Sequence, residues 1–136
     1  MSPDPTAGER TRLRVRYAET DQMGRAHHMH YLAWFELGRT ELLRGAGVAY
    51  SEIESQGVKL PVSNVEIEYR SPAGYDEAVD IFTRVSRVRR RTVTFSYLAA
   101  RAETGEALAT GSTRLVCTDA EGRPRRIPPH LISVLE

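Results

Sequence analysis

Apolar and polar residues alternate near the start of the chain: across residues 12–17, Leu13, Val15 and Tyr17 are separated by Arg12, Arg14 and Arg16. Successive side chains of a strand point to opposite faces, so this period of two predicts a strand with one buried face. The period then breaks. Residues 18–29 contain Thr20, Asp21 and Gly24, types that favour turns through local hydrogen bonds and a permissive backbone, and they predict a loop that reaches the surface. From His30 to Ala46 the apolar spacing becomes three and four. Tyr31, Trp34, Phe35, Gly38, Leu42 and Ala46 form one stripe, while Glu36, Arg39, Glu41 and Arg44 are charged. This predicts an amphipathic helix of about four turns, ended by Gly45 and Gly47. A glycine inside a helix costs roughly 1 kcal/mol relative to alanine, so Gly38 beside the stripe predicts close approach to another backbone.

A short second helix is expected over residues 50–56, capped by Ser51 and followed by Gly57. Sheet follows. Val65, Ile67 and Tyr69 alternate with Glu66, Glu68 and Arg70; Val79, Ile81 and Val85 form another set, and Val93, Phe95 and Tyr97 a third. Residues 103–106 read as a hairpin turn around Thr104 and Gly105, leading into a strand of small residues over 107–117. After Pro124 no period is clear. The order is therefore strand, long helix, four strands, with no internal repeat. An antiparallel five-stranded sheet curled around one helix buries that helix, yet leaves an outer face and an edge strand for another subunit, so self-association is expected.

The chain has 136 residues, enough for one hydrophobic core, and we expect a single domain over residues 11–136 behind a disordered tail at residues 1–10. Apolar residues make up 40% and charged residues 27%, which argues against disorder and a membrane class. The net charge of +1 gives no general attraction to nucleic acid or membranes. Cys117 is the single cysteine, which excludes an intrachain disulfide and a cysteine-based zinc site and fits a reducing compartment. No apolar run marks a signal peptide, so a cytoplasmic location is expected.

Three local features could carry chemistry. Asp21, in a Thr-Asp-x-x-Gly loop ahead of a helix, reads as a turn residue or as a reactive carboxylate. His27, His28 and His30 cluster, but they lack an i, i+4 pair and a carboxylate at metal-ligand spacing, so no metal site is expected. Arg89, Arg90 and Arg91, between two expected strands, read by themselves as a solvated hairpin or a solubility device.

Residues 14–43, RVRYAETDQMGRAHHMHYLAWFELGRTELL, resemble the hotdog-fold thioesterases of the 4-hydroxybenzoyl-CoA thioesterase and YbgC-like acyl-CoA thioesterase group. The strand ending in Tyr17, the Thr20-Asp21 pair, Gly24, His28, and the helix opening with Tyr31, Leu32, Trp34, Phe35 and Glu36 carry the likeness. It continues through Tyr69, Pro72, Asp76 and the three arginines at 89–91. The chain departs from the family pattern at His27, His30 and Arg25-Ala26, beside the expected site.

The resemblance implies an α+β hotdog fold, in which an antiparallel five-stranded sheet wraps one long central helix, and paired subunits with active sites at their interface. It implies a thioesterase that cleaves acyl-CoA to free acid and CoA, with Asp21 as general base or nucleophile and His28 orienting the site. Backbone N–H groups near His28 would stabilise the oxyanion, and Arg89 and Arg91 would contact the phosphates of coenzyme A, with Arg125 and Arg126 as further candidates. No separate cofactor is expected, coenzyme A being part of substrate and product. The expected partners are the acyl-CoA substrate and a dimer or tetramer of the same chain, without nucleic acid or membrane. Alternatives are hydrolysis of acyl carrier protein thioesters and a non-catalytic acyl-CoA binding module.

Overall fold

The computed structural model describes residues 8–136; residues 1–7 of the expected tail lie outside the described residues. Five strands, β1 (Glu9–Arg14), β2 (Val62–Tyr69), β3 (Ala78–Val88), β4 (Thr92–Arg101) and β5 (Ala107–Val116), form one antiparallel sheet in the order β1-β3-β4-β5-β2. It curls around a long helix, α1 (His30–Gly45), with short helices α2 (Tyr50–Ser55) and α3 (Pro129–Leu135) closing the edges of the core. This is the expected α+β hotdog arrangement. Among the described residues, no helix is long and apolar enough to cross a membrane.

Burial follows the periods read from the sequence on most elements. Tyr31, Trp34, Phe35 and Leu43 of α1 are buried against Ile81, Val93, Phe95, Tyr97, Leu108 and Leu115 of the sheet. Phe35 stacks on Tyr97 with ring centroids 4.6 Å apart and planes within 7°. Gly47, with φ +88°, ends α1 by turning the chain so that Val48 donates its N–H to Leu43 O at 2.8 Å, a conformation in which glycine avoids Cβ strain.

Four expectations require correction. β1 spans Glu9–Arg14 rather than residues 12–17, so Glu9 and Arg10 belong to the sheet, pairing with Thr83 and Phe82. Its early end has a local cause: the Glu19 carboxylate accepts the Arg16 N–H at 2.8 Å, folding Tyr17–Glu19 into a 3-10 turn and leaving Tyr17 exposed. Ser51 does not cap α2; Ala49 occupies that position and Ser51 lies inside the helix. The stretch after Pro124 forms α3, whose Pro129 occupies a first-turn position where its missing N–H is no loss, and which buries Leu131 and Leu135. Finally, Gly38 approaches side chains rather than backbone. A Cβ there would overlap Thr83 Oγ1 and sit 2.9 Å from Ile81 Cγ2.

β2 is the exception to the burial pattern. Ile67 packs against the core, but Val65 and Tyr69 on the same face are exposed, β2 being an edge strand that pairs with β5 alone among the described residues. An uncovered edge with apolar residues is a template for pairing.

The Gly38 contact yields a direct test. Gly38→Ala overpacks the α1–β3 interface and should cost about 1–3 kcal/mol of stability in urea unfolding. Thr83→Ala in the same chain should recover part of that loss, because Thr83 Oγ1 is buried without a hydrogen-bond partner and its removal opens space. Additive losses in the double variant would contradict the contact.

Candidate active site

The loop between β1 and α1 is held at both ends before it presents any side chain to solvent. The Glu19 side chain, only 4% exposed with its residue, accepts from Arg16 N through Oε1 and from the Trp34 indole N–H through Oε2 at 2.9 Å. Its carbonyl accepts the His27 N–H at 2.8 Å. Burial acts to raise the Glu19 pKa, but the hydrogen bonds from Arg16 and Trp34 and the Arg16 charge outweigh it, holding the carboxyl below its ordinary value. Ala26 N donates to Ala73 O at 2.8 Å, and Arg25 pairs with Gly74, so the loop also rests on the segment after β2. That segment is fixed in turn: the Glu77 carboxylate accepts the Gly74 N–H at 2.8 Å and pairs with Arg101, which also donates to Pro72 O at 3.0 Å.

Asp21 sits at the turn of this loop. Its Oδ1 accepts from Met23 N at 2.9 Å and Arg25 N at 3.4 Å, and its carbonyl accepts from Gly24 N. The turn reading is thus realised, but it occupies one carboxylate oxygen; Oδ2 takes no hydrogen bond among the described residues. Asp21 lines a cleft of about 340 Å3 together with Met23, Arg25, His28, Tyr31 and Tyr69. A carboxylate with an open oxygen facing such a cleft can accept a proton from water or attack a carbonyl carbon.

His28 is brought to the same cleft, exposed, with its ring 4.1 Å from that of His27 and edge-on to Tyr69. Tyr69 at the end of β2 donates its hydroxyl to His28 O at 2.8 Å, tying the head of α1 to the sheet edge. The His27 ring accepts the Met29 N–H through Nδ1 at 3.2 Å, while the His28 N–H has no partner among the described residues. An unpaired N–H beside the start of a helix is a donor placed for developing negative charge. The three histidines do not form a group of three metal-binding side chains among the described residues.

Arg89, Arg90 and Arg91 are exposed in the turn between β3 and β4. Arg90 lines a groove of about 470 Å3 with Arg125, Arg126 and Ile132, whereas Arg89 and Arg91, the expected phosphate contacts, are not among its lining residues. The arginines and Asp21 are not brought together within one chain. Asp21 lies near Tyr69 and the start of β3, the arginines at the far end of the 11-residue β3, a separation on the order of 30 Å at about 3.3 Å per residue.

Sequence reasoning missed two residues of this site. Glu19 carried a signal: a buried tryptophan needs an acceptor for its indole N–H, and a carboxylate two residues after the end of an alternating run can reach back three residues to the backbone. Tyr69 was read as a strand residue, and its hydroxyl bond to His28 depends on chain crossings that spacing does not reveal.

The Glu19 anchor predicts a pH signature. Its pKa is lowered in the folded state, so it stabilises the fold above the unfolded-state value near 4.5 and loses that effect as pH falls through the lower folded value. Glu19→Gln, which offers one acceptor oxygen instead of two, should cost about 2 kcal/mol at pH 7. The stability gap between the two proteins should narrow as pH is lowered from 6 towards 3; a constant gap in denaturation across that range would contradict the anchor.

Comparison with known proteins gives consistent results. Residues 15–135 match the model of the thioesterase-like superfamily. YneP of Bacillus subtilis is 36% identical over 80% of this chain and 78% of its own. YbgC of Escherichia coli, an acyl-CoA thioester hydrolase, is 29% identical over 89% of this chain and 90% of its own. The crystal structure of the DHNA-CoA thioesterase of Staphylococcus aureus superposes with a TM-score of 0.87 at 32% identity, covering 92% of this chain and 86% of that one.

Proposed function

This chain belongs to the thioesterase-like superfamily, and on that premise we propose that it hydrolyses acyl-CoA thioesters to free acid and CoA, with Asp21 as the reacting carboxylate. The observation that carries the reading is the open Oδ2 of Asp21 in a cleft beside the unpaired His28 N–H. In the general-base route Asp21 takes a proton from water as its oxygen attacks the thioester carbonyl; in the nucleophilic route Asp21 attacks and water then opens the mixed anhydride. Either way the carbonyl oxygen becomes an oxyanion, for which the His28 N–H is the donor at hand, and the C–S bond breaks as the intermediate collapses. A thiolate with a pKa near 8.5 leaves without a strong general acid, so a single carboxylate suffices. No cofactor is required, since coenzyme A enters as substrate and leaves as product. In this reading His28 orients the head of α1 through its backbone and ring contacts.

The reading includes a second copy of the chain. In a single chain the β3–β4 turn lies at the opposite end of the sheet from Asp21. β2 runs from Val62, at the arginine end, to Tyr69, at the Asp21 end. Antiparallel pairing of two β2 edges reverses the second sheet, so its Arg89 and Arg91 come to the end where the first copy's Asp21 lies. Those arginines then reach the phosphates of a CoA whose thioester sits at Asp21. The exposed Val65 and Tyr69 would be covered by the same pairing.

Asp21→Asn should fold normally and lose at least about a hundred-fold in thiol release, the scale of a missing general base. Turnover within threefold of wild type would contradict the assignment. Replacing Arg89 and Arg91 by glutamine should raise KM for CoA esters about tenfold, equivalent to roughly 1.4 kcal/mol, and flatten the dependence of KM on salt. An unchanged KM for CoA esters beside a raised KM for acyl carrier protein esters would assign the arginines to the protein carrier instead.

A further inference from the structure

A second and larger cleft, of about 870 Å3, lies between α1, α2 and the segments at 59–61 and 118–122. Arg39 of α1 lines it and is only 7% exposed. Its Nε donates to Tyr50 Oη at 2.8 Å, and Nη1 to Tyr97 Oη at 3.1 Å and Thr113 Oγ1 at 3.4 Å. These partners do not balance its charge. Burial pushes the pKa of both tyrosines above the ordinary value of 10.0, so both are neutral hydroxyls at pH 7. Among the described residues, no carboxylate oxygen lies within 4.0 Å of the guanidinium.

The third nitrogen, Nη2, makes no hydrogen bond among the described residues. It is not sealed in the core either, because Thr83 Oγ1 is the one enclosed, unpaired side-chain N or O atom among them. Nη2 therefore meets open space, and the space that Arg39 lines is this cleft. A buried guanidinium held by neutral hydroxyls, with a free donor edge on a cavity, calls for an anion. Thr40 adds a hydroxyl, and Lys59 is exposed on the same cleft without an ion pair among the described residues.

The other lining side chains select the kind of anion. Glu36 and Glu54 stand exposed on the cleft and would repel a multiply charged phosphate, while Leu60 and Pro61 give an apolar wall. A singly charged carboxylate on an organic body fits both features. We propose that this cleft binds a carboxylate group, with Arg39 as its anchor and Thr40 and Lys59 as supporting donors. The carboxylate could belong to a free organic acid or to the distal end of an acyl group. The second source rests on the thioesterase reading: pairing of two β2 edges would set residues 59–61 beside the second copy's Tyr69, near its Asp21 cleft.

The test has a binding arm that does not depend on turnover. Calorimetric titration of the wild-type protein with butyrate should give saturable binding, and butyramide, its neutral counterpart, should not bind. Arg39→Gln should weaken butyrate binding at least tenfold and Lys59→Met at least threefold. The second variant changes an exposed side chain and so keeps the test decisive if the first fails to fold. Absence of saturable butyrate binding, or equal binding of butyramide, would overturn the proposal. A kinetic arm separates the sources. A fall of fivefold or more in the glutaryl-CoA to valeryl-CoA rate ratio in Lys59→Met assigns the site to the acyl group; an unchanged ratio, with butyrate binding weakened in that variant as predicted, assigns it to a free acid. Failure to hydrolyse any ester would count against the thioesterase reading while leaving the binding result to stand.

Discussion

β2 closes the sheet as an edge strand that leaves Val65 and Tyr69 exposed, and under the proposed pairing this open edge would govern how two chains assemble a reactive centre. The strands that wrap α1 are long, so features at opposite ends of the sheet are separated by most of the width of the molecule. Asp21 and the arginines at 89–91 are such features. A covalent carrier with a reactive end and a phosphate end could be held at both only if a second sheet is reversed against the first, and an antiparallel edge pair produces that reversal. The arrangement also answers the cost of leaving Val65 and Tyr69 in water.

The loop between β1 and α1 shows how a flexible-looking segment is given a fixed shape. Its ends are fastened to α1 through Glu19 and Trp34, and to the sheet through Ala73, Gly74 and the Arg101–Glu77 pair. Asp21 then spends one oxygen on its own turn and retains the other. Holding a carboxylate by one oxygen fixes its direction and leaves the other oxygen open, which is the preorganisation that the acid–base chemistry proposed for Asp21 would require. The aromatic rings of Tyr31 and Tyr69, meeting edge to face at 5.2 Å, form the wall behind it.

Much of this was legible in the sequence where a residue's surroundings are set by its neighbours along the chain. The period of three and four located α1 to within a residue, alternation located β3 and β4, and the hairpin turn with the small residues after it located β5. The turn chemistry of Thr20, Asp21 and Gly24 placed the loop. What spacing did not carry was set by tertiary contact. Alternation in β2 assigned Val65, Ile67 and Tyr69 to a core, but at this sheet edge only Ile67 packs against it and the other two stay exposed. The end of β1 was misjudged because Tyr17 continues the alternation while Glu19, two residues on, pulls the backbone away from the ladder. Gly38 announced a close approach, yet Thr83 and Ile81 as its neighbours required the register of α1 on β3. Arg39 stood among the charged residues of α1, and only the positions of Tyr97 and Thr113 on adjacent strands reveal that it is buried.

The most direct measurement mixes two impaired proteins. One carries Asp21→Asn with its arginines intact; the other carries Arg89→Gln and Arg91→Gln with Asp21 intact. The two are unfolded together, refolded, and assayed at low acyl-CoA concentration, where kcat/KM is read. If each centre takes its carboxylate from one copy and its phosphate contacts from the other, the mixed pair contains one wholly intact centre, and activity rises above that of either parent. Activity no greater than the average of the separate parents would mean that carboxylate and arginines act within one chain or not together, and would contradict the account.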